Sequence, residues 1–432
     1  MLKKIVTFFI FTFFILLNIT PTYAVTTNCG AAMLFELNTQ TTLYERSANK
    51  KMYPASITKI MTAAIALELG DLDDKITVDE DTPYEIYGSH IALEPGEILT
   101  LKDLLYALIL PSANDAASVI AKHYSGDIES FVKLMNEKAK EIGATNTHFA
   151  NPHGLHDENH YTTAADLAKI VTYAMKNETF REIIKAPRYE IPATNKKEAR
   201  PIITTNNLLL NTSPSYILVN NKWVSREYEG AAGVKTGYTP EAGNCLISYA
   251  EKNGIGLVAI VLNGSGSDVY TDTHNLLNYG FENYEVKNMI KANEFVQDLD
   301  VLDNSEKLPL VTKDNVSVII EKGTTPDIKS NVTIFDISLP IKKGDVLGKL
   351  EYTIDKKTVG RTDIISTMSV TSIRNSNSDN KNGESSKFPT WLKVIVAVIV
   401  AILTLRIYNK IRVYIIKQKR KKRRRKMRQE GL

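Results

Sequence analysis

Three short stretches hold the residues of this chain that could do chemistry together: Ser56-Ile57-Thr58-Lys59, Ser112-Ala113-Asn114 and Lys235-Thr236-Gly237. A serine three residues before a lysine at a helix start shares a face with it, so the amine can take the hydroxyl proton. Helix N-terminal amides also favour the oxyanion that such an attack creates. The competing reading of Ser56 is a plain helix cap. Ser112 and Asn114 stand between two helical patterns, a place from which polar side chains reach into a cleft; helix capping competes there too. Lys235-Thr236-Gly237 lies in a strand-like run. A strand edge can pair with an extended peptide, the lysine and threonine can bind a terminal carboxylate, and the glycine permits close approach. An ordinary hairpin strand with an exposed lysine is the alternative.

Each signal alone is weak. The chain has four Ser-x-x-Lys matches, at Ser47/Lys50, Ser56/Lys59, Ser130/Lys133 and Ser378/Lys381. Only Ser56 follows Pro54-Ala55 and opens an apolar helix pattern. A literal Ser378-Asp379-Asn380 falls after the Lys-Thr-Gly, inside a low-complexity stretch, so its order is wrong. What carries information is the order nucleophile and base, then polar pair, then cationic strand.

The elements that must position these groups follow from periodicity. Ala31 to Glu36 and Thr42 to Arg46 read as a hairpin. A largely buried helix runs from Ser56 to Leu69, and further helices span Leu101 to Leu110, Asn114 to His123, Ile128 to Ile142 and Thr163 to Met175. Thr163 with Asp166 has the spacing of a capping box. Strand patterns then dominate: Tyr189 to Pro192, Gly233 to Thr239, Cys245 to Glu251 and Gly256 to Leu262. A helical block between an N-terminal hairpin and C-terminal strands predicts one sheet in which both ends of the domain meet. Glu282 to Ile373 alternates in the manner of a small all-β domain.

The ends are distinct. Residues 1–24 carry a charged start, an apolar stretch and Thr22-Tyr23-Ala24, the pattern of a cleaved secretory signal. Residues 25–283 form the catalytic domain and 284–374 the β-rich domain; 375–390 is a Ser- and Asn-rich linker. Residues 391–409 have the length of a membrane-spanning helix, and 410–432 form a basic tail that marks the cytoplasmic side. An amphipathic helix lying in the interface is the alternative for the anchor. The formal net charge of +4 comes from this tail. Removing the 14 basic residues and one acidic residue after position 390 from 53 and 49 leaves 39 and 48, a balance of −9. An acidic body gives no nucleic-acid-binding face. Cys29 and Cys245 can pair or stay as buried thiols. His153, His156 and His160, with Asp157, have a zinc-like spacing.

The three motifs match those of penicillin-recognising serine enzymes. The exported part resembles the D-alanyl-D-alanine carboxypeptidases, the low-molecular-mass penicillin-binding proteins of the penicillin-binding protein 5 type. The likeness extends to Tyr53-Pro54-Ala55-Ser56, to Phe149-Ala150-Asn151-Pro152-His153-Gly154-Leu155 and to Leu276 to Phe281. It implies an α+β transpeptidase/β-lactamase-like domain, an antiparallel sheet flanked by helices, followed by a small all-β domain and a C-terminal membrane helix. It also implies roles. Ser56 is the nucleophile, Lys59 the base and Ser112 the proton relay. Asn114, Lys235, Thr236, Gly237 and Tyr238 bind substrate, with the backbone amides of Ser56 and Tyr238 as the oxyanion hole. The substrate is a peptidoglycan stem ending in two D-alanines, and β-lactams stall the enzyme as acyl adducts. No cofactor or metal is needed: His153 falls in the family loop beside the active site, and the serine mechanism runs without one. The expected location is the cell membrane, with the catalytic domain outside. A β-lactamase and a non-catalytic penicillin-binding sensor or wall-binding module are the other readings. One departure stands out: Val269 occupies the place where members of the family often carry a carboxylate-gripping arginine.

Overall fold

The computed structural model describes residues 25–210, 215–302 and 306–370. The segments expected to be the signal, the linker, the membrane span and the cytoplasmic tail all lie outside the described residues. Among those described, no helix is long and apolar enough to cross a membrane.

The catalytic domain is built on a five-stranded antiparallel sheet. Its strands are β1 (Ala31–Glu36), β2 (Thr42–Arg46), β3 (Ala231–Thr239), β4 (Gly243–Lys252) and β5 (Ile255–Gly264), in the order β2-β1-β5-β4-β3. The first strand therefore pairs with the last, Ala31 opposite Leu262 and Glu36 opposite Leu257. Successive side chains of β1 and β5 point to opposite faces. Met33, Phe35, Ile260 and Leu262 join one apolar cluster; Leu34, Leu257, Ala259 and Val261 join another. Both faces are covered, so these strands read as continuous apolar runs instead of alternating ones.

The first face carries the helical block: α1 (Lys59–Leu69), α2 (Leu101–Ile109), α3 (Asn114–Ser125), α4 (Ile128–Glu141) and α5 (Ala164–Ala174). In α1 every residue from Lys59 to Ala66 is buried, which makes it the central helix of the domain. The second face is covered by α6 (Asp268–Asn283), through Leu276 and Leu277. The complete capping box is at the start of α2, where Thr100 and Asp103 satisfy each other's backbone amides. At α5 only half of the expected box forms. Thr163 caps the Asp166 amide, while the Asp166 carboxylate turns to the Asn146 amide and the Thr147 hydroxyl.

Downstream, β6 (Tyr284–Ile290) pairs with β7 (Val316–Glu321). Beside them stands a five-stranded sheet in the order Phe295–Leu302, Glu306–Thr312, Lys357–Ser366, Val346–Ile354, Lys329–Ile334. This domain is all-β and has its own apolar core around Leu310, Val318, Leu350 and Ile364.

Candidate active site

Ser56 does not open an α-helix directly. It sits in a 3-10 turn, Ala55–Thr58, that runs into α1. The turn is closely packed. Ala55 is held at φ +48°, and two glycine segments press against the turn. A Cβ on Gly154 would lie 1.9 Å from the Ala55 carbonyl oxygen, and one on Gly237 would lie 3.0 Å from the Pro54 oxygen and 3.1 Å from the Ser56 nitrogen. The Gly237 of the Lys-Thr-Gly strand is thus required for the strand to lie against the serine turn.

Lys59 is fully buried. Its Nζ stands 3.0 Å from Ser56 Oγ, 2.7 Å from Asn114 Oδ1 and 2.6 Å from the His153 carbonyl oxygen. Two of these partners can only accept. A neutral amine has two hydrogens and one lone pair, so it can satisfy both acceptors and still take a hydrogen bond from the serine hydroxyl. Burial, and then the charge of Lys235, hold the Lys59 ammonium well below its ordinary range, while Asp115 pulls it upward. Lys235 is 1% exposed, donates to the Thr236 carbonyl at 3.1 Å, and is lowered to about 7 by burial. The exposed-lysine reading of this strand is therefore excluded.

The helix-cap reading of the second motif also fails. The N-cap of α3 is Ala113, and no side chain caps that end. The Asn114 amide instead bridges, accepting from Lys59 and donating to the Tyr87 carbonyl at 2.5 Å. Ser112 sits at φ +67°, and its buried Oγ has no hydrogen-bond partner among the described residues. Thr236 Oγ1 meets Thr205 Oγ1 at 2.6 Å, and Tyr238 is exposed at the rim. Sequence reasoning missed Thr205, which comes from a separate loop, and Asp115, hidden directly beside the recognised Asn114.

The loop from Phe149 to His160 backs the turn. Thr62 donates to the Pro152 carbonyl at 2.6 Å, and Asn151 accepts from the Gly154 amide at 2.7 Å. His160 receives the Ala150 amide on Nδ1, so its Nε2 carries the hydrogen and donates to Thr58 Oγ1 at 2.7 Å. With both nitrogens engaged in hydrogen bonds to the chain, His160 braces the turn that carries Ser56. Val269 is a core residue on the α6 side of the sheet. Both cysteines are free and buried.

Residues 19–266 match the family described as D-alanyl-D-alanine carboxypeptidase, and residues 284–372 match the penicillin-binding protein 5 C-terminal domain. The chain belongs to the D-alanyl-D-alanine carboxypeptidase family. It is 35% identical to the D-alanyl-D-alanine carboxypeptidase DacF of Bacillus subtilis, over 74% of this chain and 80% of that one. It is also 35% identical to a D-alanyl-D-alanine carboxypeptidase of Streptomyces sp. strain K15, over 61% of this chain and 92% of that one. Among solved structures it is similar to penicillin-binding protein 5 of Haemophilus influenzae, with a TM-score of 0.65 at 25% identity, covering 81% of this chain and all of that one.

Proposed function

We propose that Ser56, Lys59 and Ser112 carry out the D-alanyl-D-alanine carboxypeptidase reaction of this family on peptidoglycan stem peptides. The observation that carries this reading is the Lys59 amine, buried, with its ammonium disfavoured by burial and by Lys235, 3.0 Å from Ser56 Oγ. Ser56 Oγ attacks the carbonyl carbon between the two terminal D-alanines while its proton passes to Lys59 Nζ. The oxyanion is held by the backbone amides of Ser56 and Tyr238. The C–N bond then breaks, the leaving amine takes a proton through Ser112, and free D-alanine departs. Lys235, with the Thr236 hydroxyl, binds the terminal carboxylate; Asn114, Gly237 and Tyr238 line the extended peptide. Water attacks the acyl-serine and releases the shortened stem. A β-lactam follows the first half only, because its opened ring keeps the leaving amine tethered to the acyl group.

The enzyme is exported after cleavage behind Ala24 and is held at the membrane by residues 391–409, with the basic tail on the inner side. The sequence alone supports this placement.

Incubating residues 25–374 with fluorescent penicillin, and separately with a peptide ending in D-Ala-D-Ala, tests the reading. Stable labelling together with D-alanine release is expected. Rapid penicillin hydrolysis would instead mark a β-lactamase, and labelling without peptide turnover a sensor. Ser56→Ala should lose all label; retained label would overturn the nucleophile.

A further inference from the structure

The residue after the recognised Asn114 has a role that nothing in the three motifs assigns. Asp115 is 2% exposed and lies in the first turn of α3. Its carboxylate accepts the Ile91 amide at 3.1 Å, the Leu93 amide at 3.1 Å and the Ala116 amide at 2.9 Å. The first two come from a segment outside the helices. That same segment supplies the Tyr87 carbonyl to the Asn114 side chain, and the Ser89 carbonyl to the Asn114 backbone amide at 2.7 Å. Asn114 in turn holds the Lys59 amine. Asp115 therefore holds one end of residues 87–93, and the other end holds Asn114, which contacts the Lys59 amine.

The charge pattern adds an independent observation. Two charged groups act on Lys59, Lys235 on β3 and Asp115 on α3, and Lys59 in turn acts on His153 and His160 of the backing loop. Burial holds both histidines neutral, His153 at about 3 and His160 at about 4. Asp115 is the acidic member of this set, and it acts on Lys59 against the effect of Lys235.

Resting on the reading of Ser56 and Lys59 given above, we propose that Asp115 is a positioning residue. Its buried carboxylate ties residues 87–93 to the start of α3, so that Asn114 is held against the Lys59 amine, and it serves as counter-charge to the Lys59 ammonium.

The test is the rate of Ser56 acylation by fluorescent penicillin, measured against pH on the full chain. The wild type must label first; if it does not, the reading of Ser56 itself has failed. Asp115→Asn removes the charge and keeps the shape. Its acid limb should move to lower pH by about half a unit or more, because the ammonium of Lys59 loses its only attractive partner in the set. Its plateau should fall roughly tenfold as the tether weakens. A purely structural role would lower the plateau without moving the limb, and a stationary limb would overturn the proposal. Gly88→Ala disturbs the segment without touching any charge. Gly88 is at φ +79°, and an added Cβ would lie 3.1 Å from Asn114 Nδ2. Its plateau should fall about fivefold with the limb in place. This exposed substitution keeps the test decisive should Asp115→Asn not fold, since an unchanged plateau would show that the segment does not position Asn114.

Discussion

A lysine in water is protonated at neutral pH and cannot accept a proton from serine. Removing it from water reverses the preference, because the charged form loses its hydration while the neutral amine loses little. Lys59 and Lys235 are both buried, and among the described residues neither forms an ion pair with a carboxylate. The same physics links the site to stability. The folded chain holds Lys235 at about 7 against an ordinary value of 10.5, so the unfolded chain binds the extra proton between those values. Its contribution to stability is full above the unfolded value and is lost as pH falls toward about 7. Lys235→Met removes this dependence. Urea midpoints measured from pH 7 to 9.5 should rise more steeply in the wild type than in this variant, the difference approaching ~1.4 kcal/mol per pH unit. Parallel curves would mean that Lys235 is hydrated in the folded chain.

Elements place these residues by contact between backbones. Gly154, at φ +88°, tucks against the Ala55 carbonyl, and its neighbour His153 presents a carbonyl to Lys59. Gly154→Ala should cost more than ~2 kcal/mol and slow penicillin labelling, because the turn carrying Ser56 must shift. Gly143 has a similar φ of +79° but open space around it. Gly143→Ala should therefore show the backbone cost alone, about 1–2 kcal/mol, with labelling intact. Equal losses in thermal melts and equal labelling would refute the contact argument. Strong periodicity made the long elements legible in the sequence: the hairpin of β1 and β2, helices α2 to α5, and strands β3 to β5. The short ones were not. The helix Glu178–Lys185 and the ribbon of Tyr216–Val219 with Lys222–Ser225 are too brief to show a period. The expected α-helical start at Ser56 is a 3-10 turn, packed against Gly154 and Gly237 from distant segments.

At the scale of the molecule, the apolar core crosses from the catalytic domain into the β-domain. Ile319 of β7 is 5% exposed and packs in the cluster that contains Leu34, Leu257 and Leu276. Ile319→Ala should lower stability by ~2–4 kcal/mol in urea unfolding and leave the labelling rate unchanged. That cluster lies on the face of the sheet away from the Ser56 turn, so a fall in labelling rate would mean that the two faces are coupled. The sequence alone singled out Ser56, Lys59, the Ser112–Asn114 pair and the Lys235 strand as candidates, because their types and order are local text. It also determined the alternation of helical block and strands, because periodicity is local. Only the tertiary structure decided that Lys59 and Lys235 are both buried, that Asn114 grips the Lys59 amine, that His160 supports a turn, and that Thr205 and Asp115 lie beside the motif residues. Each of these depends on which distant segments share a core, and desolvation and hydrogen-bond geometry are properties of that packing.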